Sequence, residues 1–486
     1  MSQVRITIVA LLSVVYAGAA FSQGVELDLG LSEIYSSNIL LVPDDEAVSD
    51  FVTRINPSLS YSKQSQFVDL LVDYDFEALF YADNSILNQN HHQLAANMLA
   101  RLIGDQLTAS ADAIYTQVDV DPLKPQTDSN INVTGNRTDG LYLGAGLQWL
   151  RKLPLKSEID ASYTYGTISY DDPGLQEVDT QTITVSIASD STIASPLTYE
   201  FNYNYWFYDY ETTGDIKDQN LALTLNQEIS YGFDLLGLVG LDSDFSDPED
   251  PELSEWRWEA GFETSNDKGH LLVMFGHRYF GNVLRLSAGR EVAGLRFSAS
   301  YSEEPGTAES VFLSKGPVGV PDEDESAPPE PPPSGTDQPG SGRQFIYKRA
   351  DGGVRWEGYN SGLGLVVWWD QRNNLPEDDI AVDDTQSNRD ESFGAWLGYD
   401  QALGERTTGS LWASMTLRTF EELVEGSNDE FFDHEIDTWR IGAGVSYEIG
   451  KKTDLATTLS YLDSSGDGIP DNYDEFQAKI ELKREF

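Results

Sequence analysis

Side chains able to do chemistry are few in this sequence and poorly spaced for it. The five histidines, His91, His92, His270, His277 and His434, follow no Ser/His/Asp order and no metal-ligand spacing. His91 and His92 point to opposite faces of any strand that carries them, so they do not readily share one metal. Cysteine is absent, which removes disulfides, thiol nucleophiles, zinc–thiolate sites and a lipid anchor on cysteine. The reading is therefore not an enzyme, with no catalytic residue and no cofactor-binding residue assigned. What remains is carboxylate: 81 acidic residues against 31 basic ones, a formal charge of −50. Such a chain repels phosphate backbones, which makes nucleic acid an implausible partner. The most regular carboxylates are Asp69, Asp73, Asp75 and Glu77, all of one parity. They line a water-filled interior if their neighbours face lipid, either as an ordinary polar lining or as a cation-favouring strip.

That parity belongs to strands. Val68, Leu70, Val72, Tyr74, Phe76, Ala78 and Phe80 alternate with those four acids, so charge and hydrocarbon occupy opposite faces of one segment. Phe476, Ala478, Ile480, Leu482 and Phe486 alternate in the same way with Glu475, Gln477, Lys479, Glu481, Lys483 and Glu485. Leu197 to Phe207 and Trp439 to Ile449 repeat the pattern on odd positions. Each segment is close to the ~9–11 residues that a tilted strand needs to cross a bilayer. Counting them predicts an all-β fold, a transmembrane antiparallel up-and-down barrel of about 22 strands, within roughly 18 to 24.

The flanking sequence agrees with export. Arg5, an apolar run from Ile6 to Ala17 and the exit Ala20-Phe21-Ser22-Gln23 read as a secretory signal cleaved near Ser22. This divides the chain into a signal peptide, 1–22, and a barrel, 23–486, destined for the cell outer membrane. Beyond the signal, no apolar run approaches the roughly 18–20 residues of a membrane helix; the longest is Gly362 to Trp369. Little chain separates Gln23 from the first strand at Val25, which leaves no room there for a plug domain.

Connections sort into two alternating kinds, as in outer-membrane barrels with short periplasmic turns and long external loops. Short turns are expected around Lys63, Arg151-Lys152, Tyr231-Gly232, Asp267-Lys268, Arg290-Glu291, Tyr359-Asn360, Gly404-Glu405 and Gly450-Lys451. Long loops are expected at 120–137, 242–255, 303–342, 371–391, 421–437 and 463–474. Of these, 242–255, 371–391 and 421–437 hold 22 acidic side chains against two arginines, Arg372 and Arg389. The acidic exterior reads either as solubilising loops or as a field at a pore mouth. Residues 317–342, rich in proline and acid, read as a disordered external loop rather than a domain boundary. Aromatic clusters such as Trp206-Phe207-Tyr208 with Tyr210, and Trp368-Trp369, have the character of interfacial girdles.

The terminal Phe486, with apolar residues spaced by two before it, resembles the signature by which the barrel-assembly machinery recognises its clients; Arg484 departs from that pattern. A further resemblance lies near the other end. Leu29-Gly30-Leu31-Ser32-Glu33-Ile34-Tyr35-Ser36-Ser37-Asn38-Ile39-Leu40-Leu41, followed by Ile55-Asn56-Pro57-Ser58-Leu59-Ser60-Tyr61, resembles the opening of outer-membrane β-barrel proteins associated with exosortase (PEP-CTERM) systems. This resemblance implies a passive conduit linked to exopolysaccharide export, with no active site. The alternatives are a general diffusion porin for small hydrophilic solutes and a structural or surface-binding barrel. The implied partners are outer-membrane lipid, lipopolysaccharide, the barrel-assembly machinery and a polysaccharide. Finally, Asp463 to Asp474 resembles one thrombospondin type 3 repeat, with Ser465 where an aspartate is expected. That resemblance implies Ca²⁺ held by Asp463, Asp467, Asp471 and Asp474, with Gly468 at the sharp turn; the other reading is a plain Asp/Gly/Pro hairpin loop.

Overall fold

The structure is a computed structural model that describes residues 24–120, 124–125, 127, 129–154, 156–189, 196–212, 214–243, 253–307, 309, 344–374, 389–423, 431–466 and 472–486. The expected signal peptide, 1–22, and the proline-rich segment 317–342 lie outside these residues. The first half of the chain forms β1 (Val25–Ser36), β2 (Asp50–Gln64), β3 (Val68–Tyr81), β4 (Gln89–Ile103), β5 (Leu107–Asp119), β6 (Arg137–Leu153), β7 (Ser157–Tyr170), β8 (Val178–Ser189), β9 (Leu197–Tyr210), β10 (Gly214–Ser230) and β11 (Phe233–Ser243). The second half forms β12 (Leu253–Asn266), β13 (Gly269–Arg278), β14 (Gly281–Val292), β15 (Leu295–Thr307), β16 (Gln344–Glu357), β17 (Ser361–Asn374), β18 (Arg389–Gly404), β19 (Thr407–Leu423), β20 (Phe431–Gly450), β21 (Thr453–Gly466) and β22 (Tyr473–Glu485). A turn of 3-10 helix, Ser85–Leu87, sits between β3 and β4.

Each strand pairs antiparallel with the next, and β1 pairs with β22 from Asp28 opposite Glu485 to Ser36 opposite Gln477. The 22-stranded sheet therefore closes on itself and leaves no edge. Its two faces are inverted relative to a soluble protein. Leu143, Leu147, Val239, Leu411, Ile441, Val445, Leu459 and Ile480 are exposed on the outside, while Arg54, Asp242, Arg257, Glu259, Asp370 and Glu475 are buried on the inside. In water an outer band of this extent would be costly, since burying apolar surface is worth roughly 25 cal/mol per Å²; in hydrocarbon it is the favourable face. The chain is a transmembrane β-barrel of the outer membrane.

One rim carries the short connections 65–67, 104–106, 154–156, 231–232, 267–268, 293–294, 358–360, 405–406 and 451–452, together with 190–196. The other carries 37–49, 120–136, 244–252, 308–343 and 375–388. Long connections gather on one rim as expected, but 211–213 and 279–280 on that rim are as short as turns, and several boundaries move. Lys63, Arg151, Lys152, Arg290 and Glu291 lie inside strands, with their turns two to four residues later. The expected loops 371–391 and 421–437 shrink to 375–388 and 424–430, because β17 to β20 keep pairing above the membrane. Strand residues that leave the hydrocarbon layer lose their apolar face, and polar strands look like loops in the sequence. The 20 residues of β20, at roughly 3.3 Å each, outreach a hydrocarbon layer of about 30 Å even when tilted.

The aromatic clusters need correction. Trp206, Tyr208 and Tyr210 pack inside the barrel with Ile114, Tyr142, Ile168, Val178 and Ile216. Trp368 packs inside with Trp396 and Trp412. Alternation sends only every second member of such a run to the membrane interface, here Phe207 and Trp369.

Candidate functional site

The chemistry of the inner wall starts with β3. Asp69, Asp73, Asp75 and Glu77 share the inward face, but they are not equivalent. Asp69 forms an ion pair with Arg101 of β4 at 2.5 Å. Glu77 lies 3.6 Å from Arg54 of β2, which also holds Glu481 of β22 at 3.1 Å. Asp75 is buried. Among the described residues, Asp73 has no ion-pair partner. The two outer members of the strip are thus neutralised by arginines that register alone brings close.

A second network spans β11 to β14. Asp242 accepts hydrogen bonds from Arg257 Nη1 at 3.3 Å and from Arg278 Nε at 2.9 Å. Arg257 Nη2 donates to Glu259 at 2.8 Å, and Arg285 stands 3.9 Å from the other oxygen of Glu259. A third network spans β16 to β19. Asp370 accepts from Tyr347 Oη at 2.9 Å and Ser392 Oγ at 3.1 Å, with Arg349 at 4.0 Å. Arg418 Nε donates to Asp390 at 3.2 Å, and the Arg372 guanidinium lies 4.5 Å over the Phe345 ring. Sequence reasoning missed both networks. Their trace was present as charges alternating with apolar residues, for example Trp256-Arg257-Trp258-Glu259, but no single strand reveals which charges become cross-strand partners.

Aromatic rings on the inner wall sit in glycine notches. A Cβ built on Gly394 would come 2.0 Å from Trp368, one on Gly398 2.1 Å from Trp396, and one on Gly442 2.4 Å from Trp412. Tyr142 occupies the same kind of notch at Gly144 and Gly166. Flat rings over glycines fill the missing side-chain volume and stiffen the wall. Trp368, Trp396 and Trp412 are only 2%, 6% and 6% exposed, so their ring faces are not an open stacking surface for sugars.

Residues from three outer connections reach inward. From 120–136, Asn130 Nδ2 donates to Glu77 at 2.6 Å, Asn132 Nδ2 to Glu475 at 2.8 Å, and the Ile131 carbonyl accepts from Tyr81 Oη at 2.8 Å. Ile131 packs with Ile34, Ile39, Val52, Leu79 and Tyr81. Beneath it, 37–49 contributes Ile39, while Asn38 Nδ2 donates to the carbonyls of Val42 and Asp474. Asn38, Ile39 and Leu41 of the Tyr-x-x-Asn-Ile-x-Leu stretch are therefore packing residues. From the other side, Glu309 follows β15 and accepts from Tyr210 Oη of β9 at 2.6 Å.

The histidines do not converge. His91 Nδ1 meets Gln117, His92 Nδ1 meets the Tyr74 hydroxyl, His270 meets Ser287, His277 meets Asn282, and His434 stacks on Phe420. Of the calcium candidates, Asp463 and Asp474 stand opposite each other on β21 and β22, while Asp467 and Asp471 lie outside the described residues. Among the described residues, no cluster of three or more metal-binding side chains forms.

No protein-family model matches the sequence, and comparison with curated proteins finds no match. Among solved structures, the chain is similar to the siderophore receptor PirA from Pseudomonas aeruginosa, at 9% identity and TM-score 0.43, covering 96% of this chain and 80% of that one. It is similar to the ferric enterobactin receptor PfeA of the same organism at 8% identity and TM-score 0.46, covering 95% and 80%. Against the outer membrane protein OpdK, also from Pseudomonas aeruginosa, identity is 11% and TM-score 0.37, covering 95% and 98%. Similarities this distant carry no argument about function. The membrane assignment rests on the closed, inverted barrel itself.

Proposed function

We propose that the barrel is a passive diffusion channel for small hydrophilic solutes. The observation that supports this reading is the inner wall: charged and polar side chains line it from β1 to β22 behind a continuous apolar exterior, a division of labour that serves water and solutes inside the barrel. Several of its arginines are paired with carboxylates, so the wall is wettable and offers few free cationic groups to hold an anion. Planar-bilayer recording and liposome swelling test the reading. Steady conductance and permeation by small sugars are expected; a purified, folded barrel that passes neither ions nor sugars would end it.

Export of an exopolysaccharide is the second reading, supported by the resemblance at residues 29–61. Deleting the gene separates the two. Loss of secreted polymer with normal solute uptake favours export, whereas normal polymer with slowed uptake of small solutes favours the porin. As partners we propose lipid and lipopolysaccharide on the outward face and the barrel-assembly machinery at the Phe486 end. Calcium at Asp463 and its neighbours is proposed on the repeat resemblance alone, and isothermal titration with Ca²⁺ tests it.

A further inference from the structure

We propose that residues 129–133 form a strap that docks on and leaves the inner wall, narrowing the outer half of the lumen when docked. The connection between β5 and β6 could have stayed above the rim. Instead its residues 130–132 lie against β3, β2, β1 and β22, where the barrel closes. Three consecutive residues carry the attachment. Asn130 and Asn132 clasp carboxylates on both sides of the closure, Glu77 of β3 and Glu475 of β22. Between them Ile131 inserts into an apolar pocket of Ile34, Ile39, Val52, Leu79 and Tyr81.

The main chain adds a second layer of contacts. Gln89 Nε2 donates to the Asn130 carbonyl at 2.9 Å, Tyr81 Oη to the Ile131 carbonyl at 2.8 Å, and Val133 N to the Ile39 carbonyl at 2.7 Å. These contacts are side-chain clasps and one main-chain bond, not a ladder. A strand of this barrel is held along both edges over its whole length, so the strap is the weaker element and comes away first. Gly135 follows it with φ +65° and nothing within 4 Å of where a Cβ would stand, a position free to turn as the strap swings. Ser36 Oγ, which also donates to Glu475 at 2.5 Å, keeps that carboxylate partnered when Asn132 departs. Glu77 likewise retains Arg54. The undocked state therefore strands no buried charge, which is what allows both positions to exist.

The absence of cysteine makes a direct test clean. Ile131→Cys is labelled with a membrane-impermeant maleimide and compared with Asp45→Cys, an exposed control in the outer connection 37–49. The strap predicts labelling of Ile131→Cys at least tenfold slower than the control, and at least tenfold faster once Asn130→Ala and Asn132→Ala remove both clasps. In a second arm, Asn132→Cys and Glu475→Cys are joined by a short bis-methanethiosulfonate cross-linker, which releases two methanesulfinates as it forms a reductant-cleavable disulfide to each cysteine. Conductance is expected to hold at its lower level until reductant restores the fluctuating, larger one. Retention of heat-modifiable gel migration confirms that each variant is folded. Labelling that ignores the clasps, or conductance that ignores the cross-link in a channel that conducts, overturns the strap. The effect on flow rests on the channel reading. A folded barrel that never conducts removes that reading, and the labelling arm then decides the strap alone.

Discussion

At Gly394 a hydrogen stands where any other residue would push a carbon to 2.0 Å from the Trp368 indole. An indole is rigid and this one is fully buried, so Gly394→Ala must displace it or bend β18. Overpacking of this kind costs about 1–3 kcal/mol, and a matching drop in the urea midpoint of the folded gel band is expected. Adding Trp368→Ala should recover part of it; an unshifted midpoint in the single variant would refute the notch. Asp242 poses the opposite problem, because it joins Arg257 and Arg278 in a buried network. Asp242→Asn leaves Arg278 short of its carboxylate while Arg257 keeps Glu259, at a cost of about 2–3 kcal/mol. Asp242→Asn with Arg278→Met should be milder than Asp242→Asn alone, and a double variant that simply adds the two losses would show that the pair is not coupled. These residues also mark what the sequence discloses at this scale. The common face of Asp69, Asp73, Asp75 and Glu77 is legible from parity, but their partners are not. Arg101 and Arg54 arrive by strand register, and Asn130 by a connection that folds inward. Neither is encoded within the strand that receives it.

Strands were the most legible elements because alternation repeats within each of them, and 22 are present. Their ends were less so. Alternation marks a strand only while one face meets hydrocarbon; toward the outer rim β17 to β20 turn acidic and irregular in pattern, as in Glu421-Glu422 and Asp433-His434-Glu435, and their pairing continues unannounced. Turns follow a different rule, since two residues must reverse the chain without splaying it. Tyr231-Gly232 does so with Gly232 at φ +71°, its missing Cβ only 2.2 Å from the Ser265 carbonyl oxygen. Gly232→Val adds both left-handed strain and a backbone collision on a β-branched residue, at about 2 kcal/mol or more. Slower refolding from urea into lipid vesicles and a lower urea midpoint are the expected readouts. Gly237 has nothing within 4 Å of its Cβ position, so Gly237→Ala is the control that should leave both unchanged.

For the whole molecule the question is what a charge of −50 would do to an ion crossing the proposed channel. Much of the acid belongs in sequence to the outer connections and the rim ends of strands, and charge at the rim is screened within about 8 Å at physiological salt. Its influence is therefore confined to the entrance. Inside, the networks of β11 to β14 and β16 to β19 pair arginine with carboxylate and nearly cancel. The wall of β3 to β7 does not cancel. Asp112 accepts from the amide of Asn97 and Asp160 from that of Gln148, partners that satisfy a carboxylate without neutralising it, and Asp73 has no cationic partner among the described residues. A channel built this way should favour cations modestly, with the preference set by that wall rather than by the loops. In a potassium chloride gradient at 0.1 M the reversal potential should report a cation preference. Asp73→Asn, Asp112→Asn and Asp160→Asn together should cut the permeability ratio by roughly half or more. The preference should fade at 1 M salt, where the Debye length falls to about 3 Å and wall charges no longer reach the axis. Neutralising the same number of carboxylates on the external rim, as in Glu391→Gln, Glu435→Gln and Asp437→Asn, should change it less. If the rim variant moves the reversal potential more than the wall variant, selectivity resides in the acidic exterior and the inner wall is only a wettable lining.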